Sequence, residues 1–134
     1  MLRFAALALL SVATAASAAS ADRQRLKRLD IACRNVQGAY PLMMLITMAT
    51  GPMDCGTSDD GSDYVDCDAG LSAAAKAAKA RKLEIAVRQE AAMKLASEAC
   101  DVYVKDRKSV SAQAAVERSL AHARTTGFAV RETK

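Results

Sequence analysis

The 134-residue chain has no tryptophan, one histidine and two prolines, and aromatic residues make up 4% of it. Each shortage closes a class of function. His122 has no second histidine beside it, and the chain carries no Gly-x-Ser-x-Gly elbow and no phosphate loop. No motif of a nucleophile–base pair or a glycine-rich cradle accompanies it. The chain is expected not to be an enzyme, and a small secreted hydrolase is the weakest reading. His122 stands in SLAHART near the end of a helical stretch, where a histidine is favourable when charged and solvated. The basic residues have no aromatic residues interleaved with them and form no nucleic-acid-binding motif, so no nucleic-acid partner is expected. The four cysteines include no C-x-x-C pair, which argues against a zinc site and against a thioredoxin-like redox site. No stretch alternates apolar and polar residues in the manner of a strand.

What is present begins at the N-terminus. MLRFAALALLSVATAASAASA has one early arginine, an uncharged Ala/Leu-rich core and then small residues. That is the layout of a secretory signal peptide, assigned here to residues 1–21. Cleavage fits after Ala18 or after Ala21, and the second leaves a chain that starts at Asp22 with polar residues at once. The stretch is too short and too alanine-rich for a membrane span, and no transmembrane segment is expected in the mature chain. The expected location is periplasmic or secreted. The remaining 113 residues make one domain.

That domain reads as all-α. Leu26, Leu29, Cys33, Val36 and Tyr40 form one helical stripe. Pro41 interrupts it, so helices are expected over about 22–39 and 41–50. Residues 71–108 contain no glycine and no proline and are rich in strong helix formers. Their inner face is read as Leu83, Val87, Ala91, Leu95, Ala99 and Val102, broadened by Ile85, Met93, Ala96, Cys100 and Tyr103. Ser109 or Ser111 offers an N-cap for a last helix over 110–126, with Ala112, Val116, Leu120 and Ala123 on one side and a stop at Gly127.

An even number of cysteines in an exported chain of this size implies disulfides. Cys67 and Cys100 would lie roughly 50 Å apart along one rod at about 1.5 Å per residue, so they cannot pair. Joining Cys33 to Cys67 and Cys55 to Cys100 requires two crossings of different register. The nested pairing, Cys33 with Cys100 and Cys55 with Cys67, needs only an antiparallel helical hairpin. The expected architecture is therefore a disulfide-stapled hairpin with an additional C-terminal helix. Its tip is the closed acidic loop 55–67.

Asp54, Asp59, Asp60, Asp63, Asp66 and Asp68 crowd that tip with no basic residue among them. Crowded carboxylates repel unless they are neutralised. Calcium is the one cofactor the chain offers, with Asp59, Asp60, Asp63 and Asp66 as its ligands. EF-hand spacing fails, however, and Asp, Gly and Ser are what solvated turns use anyway. Otherwise no cofactor is expected.

Two surfaces remain for a partner. Arg23, Arg25, Lys27 and Arg28 fall near Lys105, Arg107 and Lys108 in a hairpin, giving a basic end opposite the acidic tip. That end suits an acidic protein patch or another anionic surface. The segment YPLMMLITMATGPM holds four of the mature chain's five methionines. Leu42, Met43, Met44, Leu45 and Met48 are either core or, where uncovered, an adaptable apolar contact surface. The functional expectation is an exported, non-catalytic binding protein of a bacterial envelope: an adaptor, inhibitor, immunity-type or secretion accessory protein. The alternative is a calcium-dependent module using residues 54–68.

Overall fold

The computed structural model describes residues 3–51, 54–57 and 64–132, with the side chains of residues 16–51 and 67–132. Three helices carry the fold: α1 (Arg3–Thr50), α2 (Ala73–Lys105) and α3 (Val110–Thr125). Between α1 and α2 lie two short strands, β1 (Asp54–Thr57) and β2 (Tyr64–Asp66), paired antiparallel with Asp54 opposite Asp66 and Thr57 opposite Tyr64. The sequence reading expected no strand. Segments of four and three residues are too short for alternation to register.

α1 and α2 form the expected antiparallel hairpin, and the Cys33–Cys100 disulfide joins them with a Cα–Cα distance of 5.3 Å. Cys67 is disulfide-bonded as well. The Cys55 side chain lies outside the described residues.

The expected break at Pro41 does not occur, because α1 runs through it to Thr50. A proline inside a helix removes one hydrogen bond and crowds the preceding turn, at a cost of about 3 kcal/mol. Packing explains the tolerance. Val36 and Met43 are both buried and sit seven residues apart, which is two turns on one face. A break between them would turn Met43 out of the core. Residues 3–21, read as a signal peptide, belong to the same helix.

Serine caps start the other two helices. Ser72 Oγ accepts from the Ala75 N–H at 3.2 Å, and Ser109 Oγ accepts from the Ala112 N–H at 3.3 Å. Each satisfies one of the orphan donors of a first turn. At the far end of α3, Gly127 adopts a positive φ of 84°. Its N–H donates to Arg124 O at 3.0 Å, and the Phe128 N–H donates to Ala123 O at 3.4 Å. This paired closure requires a left-handed residue, which glycine supplies without a Cβ clash.

The core is a single cluster. α1 contributes Leu29, Ala32, Cys33, Val36 and Met43; α2 contributes Ala92, Met93, Ala96, Cys100 and Tyr103; α3 contributes Ala112, Val116, Leu120 and Ala123. The α1 and α3 stripes match the sequence reading. The α2 face does not. Val87, Leu95 and Val102, read as inward, are exposed. Cys100 decides this, because a residue bonded to α1 must face it, and its helical neighbours Ala96, Met93 and Tyr103 then face inward too. Alanines on that face also let the helix axes approach closely.

α3 is 16 residues long and α2 is 33, so α3 covers only one half of the hairpin. It ends level with Gln89, whose Nε2 donates to Thr126 O at 3.1 Å. The chain then doubles back. Phe128 and Val130 pack against the core, and Asn35 Nδ2 donates to Arg131 O at 2.7 Å. Beyond that level α1 and α2 continue as a two-helix arm, with no third helix on it among the described residues.

Candidate functional site

The arm is where the methionine-rich segment lies. Met43 alone among the named residues turns into the core, at 6% exposure. Leu42 is 59% exposed, Leu45 62% and Met48 74%, and Met44 and Ile46 are also exposed. One side of α1 meets α2 and holds Met43. Among the described residues the other sides meet neither α3, which has ended, nor the returning tail, whose Arg131 lies at the level of Asn35. Thr47 and Thr50 sit in the same turns and satisfy their hydroxyls locally, donating to Met43 O at 3.0 Å and Ile46 O at 2.7 Å. The segment is thus a helical patch of large, flexible apolar side chains in water. A large exposed apolar patch is the informative exception on a folded surface.

The basic end assembles as the sequence indicated, with one difference. A shallow pocket lined by Asp22, Arg25, Leu26, Lys108, Val110 and Gln113 marks where the stretch of α1 around Asp22 to Leu26 meets the turn between α2 and α3. Arg23, Lys27 and Arg28 are exposed there. Arg25 is committed internally. Its Nε and Nη2 donate to Glu117 Oε1 and Oε2 at 2.6 and 2.9 Å. The paired hydrogen bonds and the Arg25 charge hold the Glu117 carboxyl below its usual range, and the same contact raises Arg25 further. Arg25 thus ties α1 to α3 through a pair that remains partly exposed. Arg107 makes a similar tie, lying 3.5 Å from Asp30 Oδ1.

Next to this pair is a cavity of about 250 Å³ lined by Arg25, Arg28, Leu29, Glu117, Leu120, Arg124 and Glu132. Three arginines suggest an anion site at first sight. Glu117 neutralises Arg25, and Glu132 neutralises Arg124. The cavity is an ion-pair network that fastens the C-terminal tail.

At the acidic tip, Asp59, Asp60 and Asp63 lie outside the described residues, as does the side chain of Asp66. Asp68 is described, and its carboxylate accepts from Lys79 Nζ at 2.7 and 2.8 Å. Among the described residues no cluster of three His, Cys, Asp or Glu side chains could hold a metal ion. His122 is exposed in the last turn of α3 and lines an open groove of about 450 Å³ with Ile85, Arg88, Ala91, Thr125 and Thr126.

The sequence reading missed the apolar residues on the outside of α2. Ile85, Val87, Leu95 and Val102 are about half exposed, although each was assigned inward. The position of Cys100 was the signal that separates the two faces. No helix among the described residues is long and apolar enough to cross a membrane. No protein-family model matches the chain, and neither a curated protein nor a solved structure matches it.

Proposed function

We propose that the chain is an exported, non-catalytic binding protein of the bacterial envelope, and that the bare arm of α1 anchors its protein partner. The observation that carries this reading is the exposure of Leu42, Leu45 and Met48 in an apolar run of which Met43 alone is buried. Apolar anchors that enter a partner's pocket supply most of the affinity of an interface. Methionine and leucine side chains adapt to such pockets at little conformational cost to the backbone. Arg23 and Lys27 are long, exposed and removed from the arm, which suits steering of an acidic partner more than anchoring it.

Export supports the reading from a separate direction. The leader-like N-terminus and the disulfide-bonded cysteines both belong to an oxidising compartment. Intact mass of the exported protein is expected to correspond to a chain beginning at Asp22. The binding claim is tested by capture from envelope extract with the oxidised protein, its Leu45→Asp variant and its Met48→Asp variant. Loss of a specific captured protein with both variants, while the melting curve stays put, supports the arm. Equal capture by all three removes it.

A further inference from the structure

We propose that the outer face of α2 docks a second copy of this chain, antiparallel and about a two-fold axis level with Met93. This face is distinct from the arm of α1 and lies on the side of α2 turned away from the disulfide. Glu84, Arg88, Ala91, Leu95, Glu98 and Val102 follow one another at steps of four and three residues. That spacing keeps six side chains in one line along a helix, the spacing of a seam between two helices. Leu95 is 53% exposed and Val102 59%, on the side of α2 that faces neither α1 nor α3.

The line is complementary to itself when reversed. With the axis level with Met93, Ala91 meets Leu95 of the second copy and Arg88 meets Glu98 of the second copy. Glu84 lays its apolar stem beside Val102 of the second copy. Two-fold symmetry repeats each contact, as it must in an isologous interface. In the Arg88–Glu98 and Ala91–Leu95 layers a residue that follows a four-residue step meets one that follows a three-residue step, which is how antiparallel helices interleave. An unrelated partner would have no reason to match this internal reversal. Arg88 now rests on Glu84 one turn away, an exposed pair that is worth little and exchanges readily. The open groove beside Ala91, walled by Ile85 and His122, leaves room for Leu95 of the second copy.

One helix seam buries less than the roughly 800 Å² per partner of a standard interface, so dimerisation is expected on the order of 10–100 µM. The test is sedimentation equilibrium of the oxidised protein across that window. The wild-type mass should rise from monomer to dimer. Arg88→Glu alone and Glu98→Arg alone should each weaken association at least tenfold, because each places like charges in two symmetric contacts. An equimolar mixture of the two variants should dimerise again, since both contacts then join opposite charges. Both side chains are exposed, so folding is not at issue. Leu45→Asp should leave association unchanged, which separates this surface from the arm. A monomer at every concentration overturns the proposal. So does a dimer indifferent to both variants, a mixture that stays monomeric, or a dimer abolished by Leu45→Asp.

Discussion

The Tyr103 hydroxyl donates to Asp30 Oδ1 at 3.1 Å, and lies 3.4 Å from Leu26 O. Tyr103 is fully buried. Its phenol therefore sits in the interior with its proton held by α1. Burial pushes its pKa up to about 12 from an ordinary 10, and the Asp30 charge and hydrogen bond push the same way. A raised pKa means that the fold favours the neutral phenol. The resulting stability is complete below pH 10 and is lost as pH rises through about 12. Two units correspond to about 2–3 kcal/mol. Thermal melting is expected to fall steeply across that window in the wild type and less so in Tyr103→Phe. Equal alkaline sensitivity in the two proteins would refute the assignment.

The Cys33–Cys100 disulfide closes a sequence separation of 67 residues. Loop-closure entropy for that length gives roughly 4 kcal/mol of stabilisation at 25 °C. The double variant Cys33→Ala/Cys100→Ala is expected to lose most of this in denaturant unfolding, with its helical circular dichroism retained in buffer. A midpoint equal to that of the wild type would show that packing alone holds the hairpin.

Gly127→Ala puts a Cβ on a residue with φ of 84°. Space is not limiting, since the nearest atom to such a Cβ is Gln89 Nε2 at 3.8 Å. The penalty is conformational and is expected at about 1–2 kcal/mol. Gly38→Ala, in the middle of α1 with nothing within 4 Å of the added carbon, should instead be neutral or stabilising by up to about 1 kcal/mol. Chemical denaturation of the two variants side by side reads the difference.

Charge reversal separates structural from steering arginines. Arg25→Glu faces Glu117 and breaks the tie between α1 and α3, so it should lower the melting temperature. Arg23→Glu and Lys27→Glu act on exposed side chains and should leave melting unchanged. With a captured partner in hand, these two should slow association at low salt and matter little at high salt. A partner rate insensitive to both would remove the steering role of the basic end.

Much of this fold was legible in the residues, and the exceptions have physical causes. The stripe from Leu26 to Tyr40, the serine cap at Ser109 and the stop at Gly127 are local signals, and each survived into the structure. The pairing of Cys33 with Cys100 followed from the length of one helical rod together with the register of an antiparallel hairpin. Pro41 misled because a local penalty of a few kcal/mol was outweighed by burial on both sides of it, which only tertiary contacts reveal. The face of α2 misled because larger side chains are usually the inward ones. Here Ala92 and Ala96 share the inward face with Met93, Cys100 and Tyr103, and Leu95 and Val102 are left outside. The methionine-rich segment was legible as a candidate contact surface, but whether it is covered was not. Its exposure depends on α3 ending level with Gln89, a matter of length and docking that no residue in the segment encodes. Tyr103 with Asp30 was invisible for the same reason: the two are 73 residues apart.

The central claim is that the arm of α1 is the anchoring surface. It is tested most directly by placing a photoreactive residue, one position at a time, at Leu45, Met48, Lys27 and Val102 in the exported protein and irradiating intact cells. The account predicts one specific heterologous adduct from Leu45 and Met48, with weak or no adduct to that protein from Lys27 and Val102. Adducts from Lys27 with none from Leu45 or Met48 would contradict it and move the anchor to the basic end.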